Sequence, residues 1–155
     1  MTPRRASAAA RVVACAVLFT VVSTAPASAA SLSSYEKQVV SSTNAYRADH
    51  GKVRVKMQKC VDRWANDQAR WMAARSTLEH RDGQLRKLLR SCKLTGVSEN
   101  IAWNFSTGRE AVRAWAKSPG HAKNMQAAKM RYIGVGVARA SNGDIYVSQV
   151  FGTRK

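Results

Sequence analysis

Acidic residues are scarce in this chain. Nine Asp and Glu stand against 26 Lys and Arg in 155 positions, a formal charge of +17. A field so nearly of one sign draws a protein to polyanions at low ionic strength, and the attraction fades as salt rises. Proline and glycine are also few, three and nine residues, which excludes collagen-like and low-complexity chains. A hydrophobic fraction of 45% excludes a wholly disordered one. No apolar run reaches the roughly 18–20 residues that a membrane-spanning helix needs. Internal repeats and domain linkers are absent as well, so a single core of ordinary domain size is expected. Histidine is limited to His50, His80 and His121, which leaves few positions for acid–base or metal chemistry.

What is present begins with an export signal. Arg4, Arg5 and Arg11 precede an apolar stretch from Val12 to Val22, and Ala27-Ser28-Ala29 offers a small-residue cleavage site. Residues 1–29 therefore read as a secretory signal peptide, 30–37 as a polar lead-in and 38–155 as the domain. Val12-Val13-Ala14-Cys15 has the outline of a lipid-anchor box, but Arg11 directly precedes it, so the apolar stretch such a box needs upstream is missing. The Arg4-Arg5 pair lacks further support for twin-arginine export. Removing residues 1–29 takes away three Arg and no acid, leaving 23 basic against 9 acidic residues, or +14. Cys60 and Cys92 remain, an even count in an exported chain, and are expected to form a disulfide rather than two buried thiols.

The patterning predicts α+β architecture, helices first and a terminal hairpin last. Tyr35, Val39, Thr43 and Tyr46 or Arg47 recur at helical spacing from about Ser34 to His50, and Gly51 can supply the left-handed residue that ends this helix. Val53 and Val55 make at most a short strand. A second helix from about Gln58 to Arg75 turns Val61, Trp64, Ala65, Gln68, Trp71 and Met72 inward and Asp62, Arg63, Asp67 and Arg70 outward. A short helix follows near Gln84 to Arg90. Ser98 to Trp103 fits neither period and is expected to be irregular. Thr107 with Glu110 forms a capping box for a helix through Trp115, Ser118-Pro119-Gly120 stops it, and His121 to Met125 adds one more turn. Tyr132 to Arg139 and Ile145 to Gly152 alternate as strands around the turn Ser141-Asn142-Gly143-Asp144.

Three residues could carry chemistry from separate segments: His80, Glu99 and His121. Two imidazoles and one carboxylate can hold a divalent cation with open positions, as zinc sites do. Their spacing is no local ligand motif, and the same residues could simply hydrogen-bond one another and fix loops. His50 is expected to serve the C-terminal dipole of the first helix.

The mature chain resembles the CAP superfamily of cysteine-rich secretory, antigen 5 and pathogenesis-related proteins, in its compact bacterial SCP-like form. The resemblance rests on ordered blocks: Asn44-Ala45-Tyr46-Arg47, then His80, then Glu99-Asn100-Ile101-Ala102. Trp115 with Ser118-Pro119-Gly120-His121 and Asn124-Met125 follows. Tyr132-Ile133-Gly134-Val135-Gly136-Val137-Ala138 and Tyr146-Val147-Ser148-Gln149-Val150-Phe151-Gly152 complete it. It implies an α-β-α sandwich with a small antiparallel sheet between helical layers. It implies a cleft holding His80, Glu99 and His121, supported by Asn100, Ser118 and Asn124, and a Cys60–Cys92 bridge. The second acid of the family's cleft is replaced here by Ser118, and the Gly before the Glu-Asn pair by Ser98, so a two-acid mechanism is in doubt. Metal, sterol, fatty-acid and glycan binding, and in a few members proteolysis, are what the resemblance brings with it.

Two functions are weighed on these residues. One is a secreted, monomeric binding module for envelope lipids or anionic cell-wall polymers, drawn by charge. The other is a metal-assisted extracellular hydrolase using His80, Glu99 and His121 with Zn2+ or another divalent cation; beside both stands a structural or immune-facing secreted domain with no ligand, whose polar cleft only pins loops together. Nothing in the chain names a scissile bond, so no catalytic role is assigned. A serine nucleophile at Ser118 lacks the surrounding elbow pattern. Specific nucleic-acid binding is not expected, because no motif with interleaved exposed aromatics is present and only Trp103 falls in a segment where exposure is expected.

Overall fold

The computed structural model describes residues 28–154; the expected signal peptide lies outside them except for Ser28 and Ala29, which open the first helix. Nine elements follow one another: α1 (Ser28–Asp49), β1 (Lys56–Met57), α2 (Lys59–Arg75), α3 (Gln84–Ser91), β2 (Gly96–Trp103), α4 (Gly108–Lys117), α5 (Pro119–Gln126), β3 (Tyr132–Arg139) and β4 (Ile145–Thr153). The strands form one sheet in the order β1-β3-β4-β2. Its three long strands are antiparallel, and only the two-residue β1 runs parallel to β3. Helices cover both faces, so the architecture is the expected α-β-α sandwich.

Strand alternation assigns the layers. Ile133, Val135, Val137, Val147 and Phe151 face α1, α4 and α5 in the largest apolar cluster. Ala138, Tyr146 and Val150 face the opposite way, toward Ala69, Met72 and Leu88 of α2 and α3. Two glycines set how closely α2 approaches. A Cβ on Gly134 would lie 2.5 Å from the Asp62 backbone, and one on Gly136 would lie 2.3 Å from the Ala65 carbonyl. The helix backbone thus rests directly on β3, a contact no side chain would leave room for.

The free edges of the sheet are closed by side chains instead of strands, which blunts them against pairing with another chain. Beyond β1, the Val135 N–H donates to Asp62 Oδ1, the Val135 carbonyl accepts from Asn66 Nδ2, and the Val137 N–H meets the Glu36 carboxylate. Burial, chiefly, and Asp62 beside it push the Glu36 carboxyl upward. On the other side, the β2 carbonyls of Glu99 and Ile101 accept from Asn124 Nδ2 and Trp115 Nε1.

Several expectations need correction. The segment Ser98 to Trp103 is not irregular; it is the body of β2, paired along its length with β4. Its period is hidden because Glu99 to Ala102 are buried without alternation, covered on both faces. The first helix starts at Ser28 rather than near Ser34, so the stretch read as a polar lead-in is helical; its Ser and Ala residues carry neither an apolar stripe nor a breaker. Asp62, assigned to the solvent side of α2, is half-buried at the β3 edge. Trp64 and Trp71, assigned to the core, lie half-buried on its flanks, Trp71 beneath the guanidiniums of Arg75 and Arg81. The last helix is longer than one turn.

The capping box at Thr107 and Glu110 is formed, as is the disulfide between Cys60 and Cys92, 32 residues apart. His50 Nδ1 bonds the Tyr46 carbonyl at the end of α1. No helix among the described residues is long and apolar enough to cross a membrane.

Candidate functional site

The outer edge of β2, where the two helical layers meet, gathers the polar residues. Glu99 is contributed by β2 itself. Its side chain is 3% exposed, and both carboxylate oxygens are engaged: His80 Nδ1–H donates to Oε2 at 2.7 Å, and Ser148 Oγ–H, from β4, donates to Oε1 at 2.9 Å. A buried carboxylate needs such partners, because leaving it bare in low dielectric is prohibitive.

His80 lies in the connection between α2 and α3, which is tied down on both sides of it. Gln68 Nε2 donates to the Glu79 carbonyl at 2.6 Å, and Arg81 reaches Gln68 Oε1, Gln84 Oε1 and Asp67 Oδ2. Arg81 therefore belongs to this clasp and not to a free basic surface. His121 sits in the first turn of α5, with Nδ1 hydrogen-bonded to Ser118 Oγ at 2.9 Å. Its charge and that of His80 act on one another.

The supporting residues form a second network behind these. Asn124 Nδ2 donates to the Glu99 carbonyl and to Asn100 Oδ1. Asn100 Nδ2 donates to the His121 carbonyl and to Gln149 Oε1, and Gln149 Nε2 donates to Thr43 Oγ1. This chain of buried side chains runs from α1 through β4 and β2 to α5 and fixes α5 against the sheet. Ser148, Gln149 and Thr43 were not foreseen as part of it. The available signal was a pair of polar residues inside the otherwise apolar β4.

The pairing pattern limits the chemistry. A serine triad needs one imidazole bonded to both the nucleophile and the acid. Here Ser118 bonds His121 while Glu99 bonds His80, so the two halves belong to different rings. The donor set is equally specific for a metal. Glu99 is occupied by His80 and Ser148, which leaves two imidazole Nε2 atoms, one fewer than the three protein ligands of a catalytic zinc site. Among the described residues no three His, Cys, Asp or Glu side chains are grouped to hold a metal ion. The set does not fit a three-ligand hydrolytic centre.

The two imidazoles titrate in opposite directions. The hydrogen bond to Glu99 raises the His80 pKa above the ordinary value, with the Glu99 charge adding to it and burial opposing it. His121 is displaced downward, first by burial and then by His80. Stability contributed by His80 is complete below about pH 6.5, its unfolded value, and is lost as pH rises through the higher folded value. His121 works the other way: stability falls as pH drops from about 6.5 through its lower folded value. Because the His80 side chain is 54% exposed, solvent screens the pair, and NMR of the imidazole protons is the better measure. Two titrations are expected, His80 above and His121 below the ordinary midpoint. In Glu99→Gln the His80 midpoint should fall; an unchanged midpoint would show that the carboxylate does not hold the proton.

Comparison with known proteins gives consistent results. The sequence model of the cysteine-rich secretory protein family, CAP, matches residues 40–151. The Bacillus subtilis protein YkwD is 32% identical over 127 residues, covering 79% of this chain and 49% of YkwD. The chain spans about half the length or less of the curated relatives it matches. Among solved structures, an outer surface protein of Borrelia burgdorferi superposes with a TM-score of 0.69 at 17% identity, over 77% of this chain and 92% of that one. An extracellular SCP-domain protein of Bacillus anthracis gives 0.69 at 23%, over 85% of this chain and 45% of that one. At these identities the structural likeness is one of fold.

Proposed function

The chain belongs to the cysteine-rich secretory protein family, and from that premise we propose that it is an extracellular binding module, retained at the cell envelope by anionic lipids or cell-wall polymers. The observation that carries this reading is the unbalanced charge. The nine acids are outnumbered nearly three to one, and two of them, Asp67 and Glu110, hold the only Lys or Arg ion pairs among the described residues. Most cations thus face solvent without a carboxylate, a surface suited to a polyanion. The export signal expected at residues 1–29, of which 1–27 lie outside the described residues, and the outer-surface and extracellular relatives support the same location.

Retention on anionic vesicles or isolated cell wall is expected to fall steeply between low salt and about 0.5 M, where the screening length shrinks to a few ångströms. It is expected to survive His80→Ala/His121→Ala, because those rings are not the source of the charge. Salt-insensitive retention, or retention lost in the double variant, would overturn the proposal.

The second reading, metal-assisted hydrolysis, draws on the two Nε2 atoms without protein partners and lacks a third ligand. A zinc-dependent rise in melting temperature that disappears in His80→Ala/His121→Ala, together with turnover lost on chelation, would bring it forward.

A further inference from the structure

Among the stretches of the sequence that contain no acid are three in its second half: 83–98, 111–143 and 145–155. The fold brings all three to one place. A groove of about 650 Å³ runs beneath the ends of β2 and β4, lined by Thr95 and Gly96 from the first stretch, Ala127 to Arg131 from the second, and Thr153 and Arg154 from the third. A second groove of about 530 Å³ shares Ala127 with it and is lined by Lys52, Pro119, Ala122, Lys123 and Gln126. Lys52, Lys123, Lys129, Arg131 and Arg154 therefore border a continuous depression whose walls hold no carboxylate side chain among the described residues.

We propose that this double groove binds a linear polymer carrying phosphodiester groups, a proposal that rests on the binding-module reading and names its surface. Two of the cations are already positioned. Arg131 Nη1 donates to the Ala128 and Met130 carbonyls. Arg154 Nη2 donates to the Cys92 carbonyl, and its guanidinium lies 5.6 Å from the Tyr132 ring centre. Each fork is steadied by the backbone and keeps N–H groups free, the arrangement that lets arginine meet a tetrahedral oxyanion with little ordering left to do.

Electrostatics favour an anion at the same spot. Buried Arg47 lies close enough to Arg131 for the second charge to lower its pKa, after the larger effect of burial. Neither arginine has a carboxylate ion-pair partner among the described residues, and a phosphate in the groove would relieve that repulsion. A polymer fits better than a membrane. The four exposed large apolar side chains among the described residues, Val53, Met57, Leu78 and Trp103, all lie outside both grooves, so none of them would insert there between lipid tails. The length of the depression, with cations spaced along two lobes, suits a chain of repeating charges rather than one ion.

The test titrates the protein with synthetic poly(glycerol phosphate), with a carboxylate polymer, with inorganic phosphate and with phosphatidylglycerol vesicles. Wild type is compared with Arg131→Gln/Arg154→Gln and with Arg63→Gln/Arg70→Gln, which removes the same charge from the exposed side of α2. The groove variant is expected to lose on the order of tenfold in affinity for the phosphodiester polymer, the product of two exposed charge contacts. The slope of log K against log salt should become shallower by about one unit, and the control should stay within about twofold. Lys123→Gln/Lys129→Gln, at exposed lysines, should reproduce the loss if the arginine variant folds poorly. Equal losses in groove and control variants, or preference for the carboxylate polymer, would overturn the groove while leaving the binding module intact. Binding to vesicles alone would do the same. No binding by wild type to any of the probes would end both.

Discussion

Arg47→Leu is expected to destabilise the protein by about 4 kcal/mol, a large share of the roughly 5–15 kcal/mol that holds a domain folded. Arg47 on α1 is fully buried, and no carboxylate among the described residues pairs with it. Its guanidinium donates instead to backbone carbonyls from one nearby and one distant segment: Nε to Val53 at 2.8 Å, Nη1 to Met125 and to Ala127 at 3.2 Å, and Nη2 to Met130 at 3.4 Å. Met125 and Ala127 sit at the C-terminal end of α5, where the helix dipole presents partial negative charge. Hydrogen bonds to a charged group are worth about 1.5–3 kcal/mol each. Removing the donor strands several carbonyls at once, offset in part because a charge no longer has to be buried. Arg47→Lys should recover little of the loss, since an ammonium is a point charge and cannot span carbonyls arriving from both sides. Urea denaturation checks this. A change below about 1 kcal/mol in the leucine variant would mean that water satisfies the carbonyls and that Arg47 does not organise this end of the molecule.

Opening the Cys60–Cys92 bridge ranks next. Its Cα atoms are 5.7 Å apart, and it closes a loop over a separation of 32 residues. In the chain-entropy account, that closure is worth roughly 3–4 kcal/mol, all of it through the unfolded state. For a domain of this length the loss corresponds to about 10–15 °C in melting temperature. Cys60→Ala/Cys92→Ala should also show a steeper denaturant dependence, because the unfolded chain expands when the cross-link is gone. The His80–Glu99 contact should persist in the folded variant. Gln68, Arg81 and Asp67 hold that connection without help from the bridge, so the two imidazole titrations serve as the readout. If they collapse to ordinary values while the fold remains, the bridge positions the site as well as stabilising the chain.

How much of this was visible in the sequence depended on whether the relevant signal was local. The Val61, Ala65, Gln68 and Met72 positions of the α2 stripe, the Thr107–Glu110 capping box and the glycine turn before Ile145 are each decided within a few residues, and each matches the fold. β2 was not visible for a physical reason tied to the site. Glu99 and Asn100 are polar residues in a strand covered on both faces, and the partners that make their burial tolerable come from elsewhere. Glu99 bonds residues 19 and 49 positions away, and Asn100 bonds one 49 positions away. The arrangement that allowed a cleft also erased the period that marks a strand. The start of α1 failed differently: the Ser and Ala residues from Ser28 to Ser31, before Leu32, carry no large apolar side chain.

The sequence by itself determined the helices with a strong stripe or cap, the terminal hairpin, the pair of cysteines able to bridge, the excess of positive charge and the membership of a secreted family through its ordered blocks. Only the tertiary structure decided which residues meet. It split the polar cluster into a His80–Glu99–Ser148 group and a His121–Ser118 pair, buried Arg47 among carbonyls up to 83 positions away, and turned three acid-free stretches into the walls of one groove. Helical period, capping and turn chemistry act over a few residues and can be read along the chain. Hydrogen-bond partners and electrostatic fields depend on distances in space, and these exist only once the two helical layers have closed on the sheet.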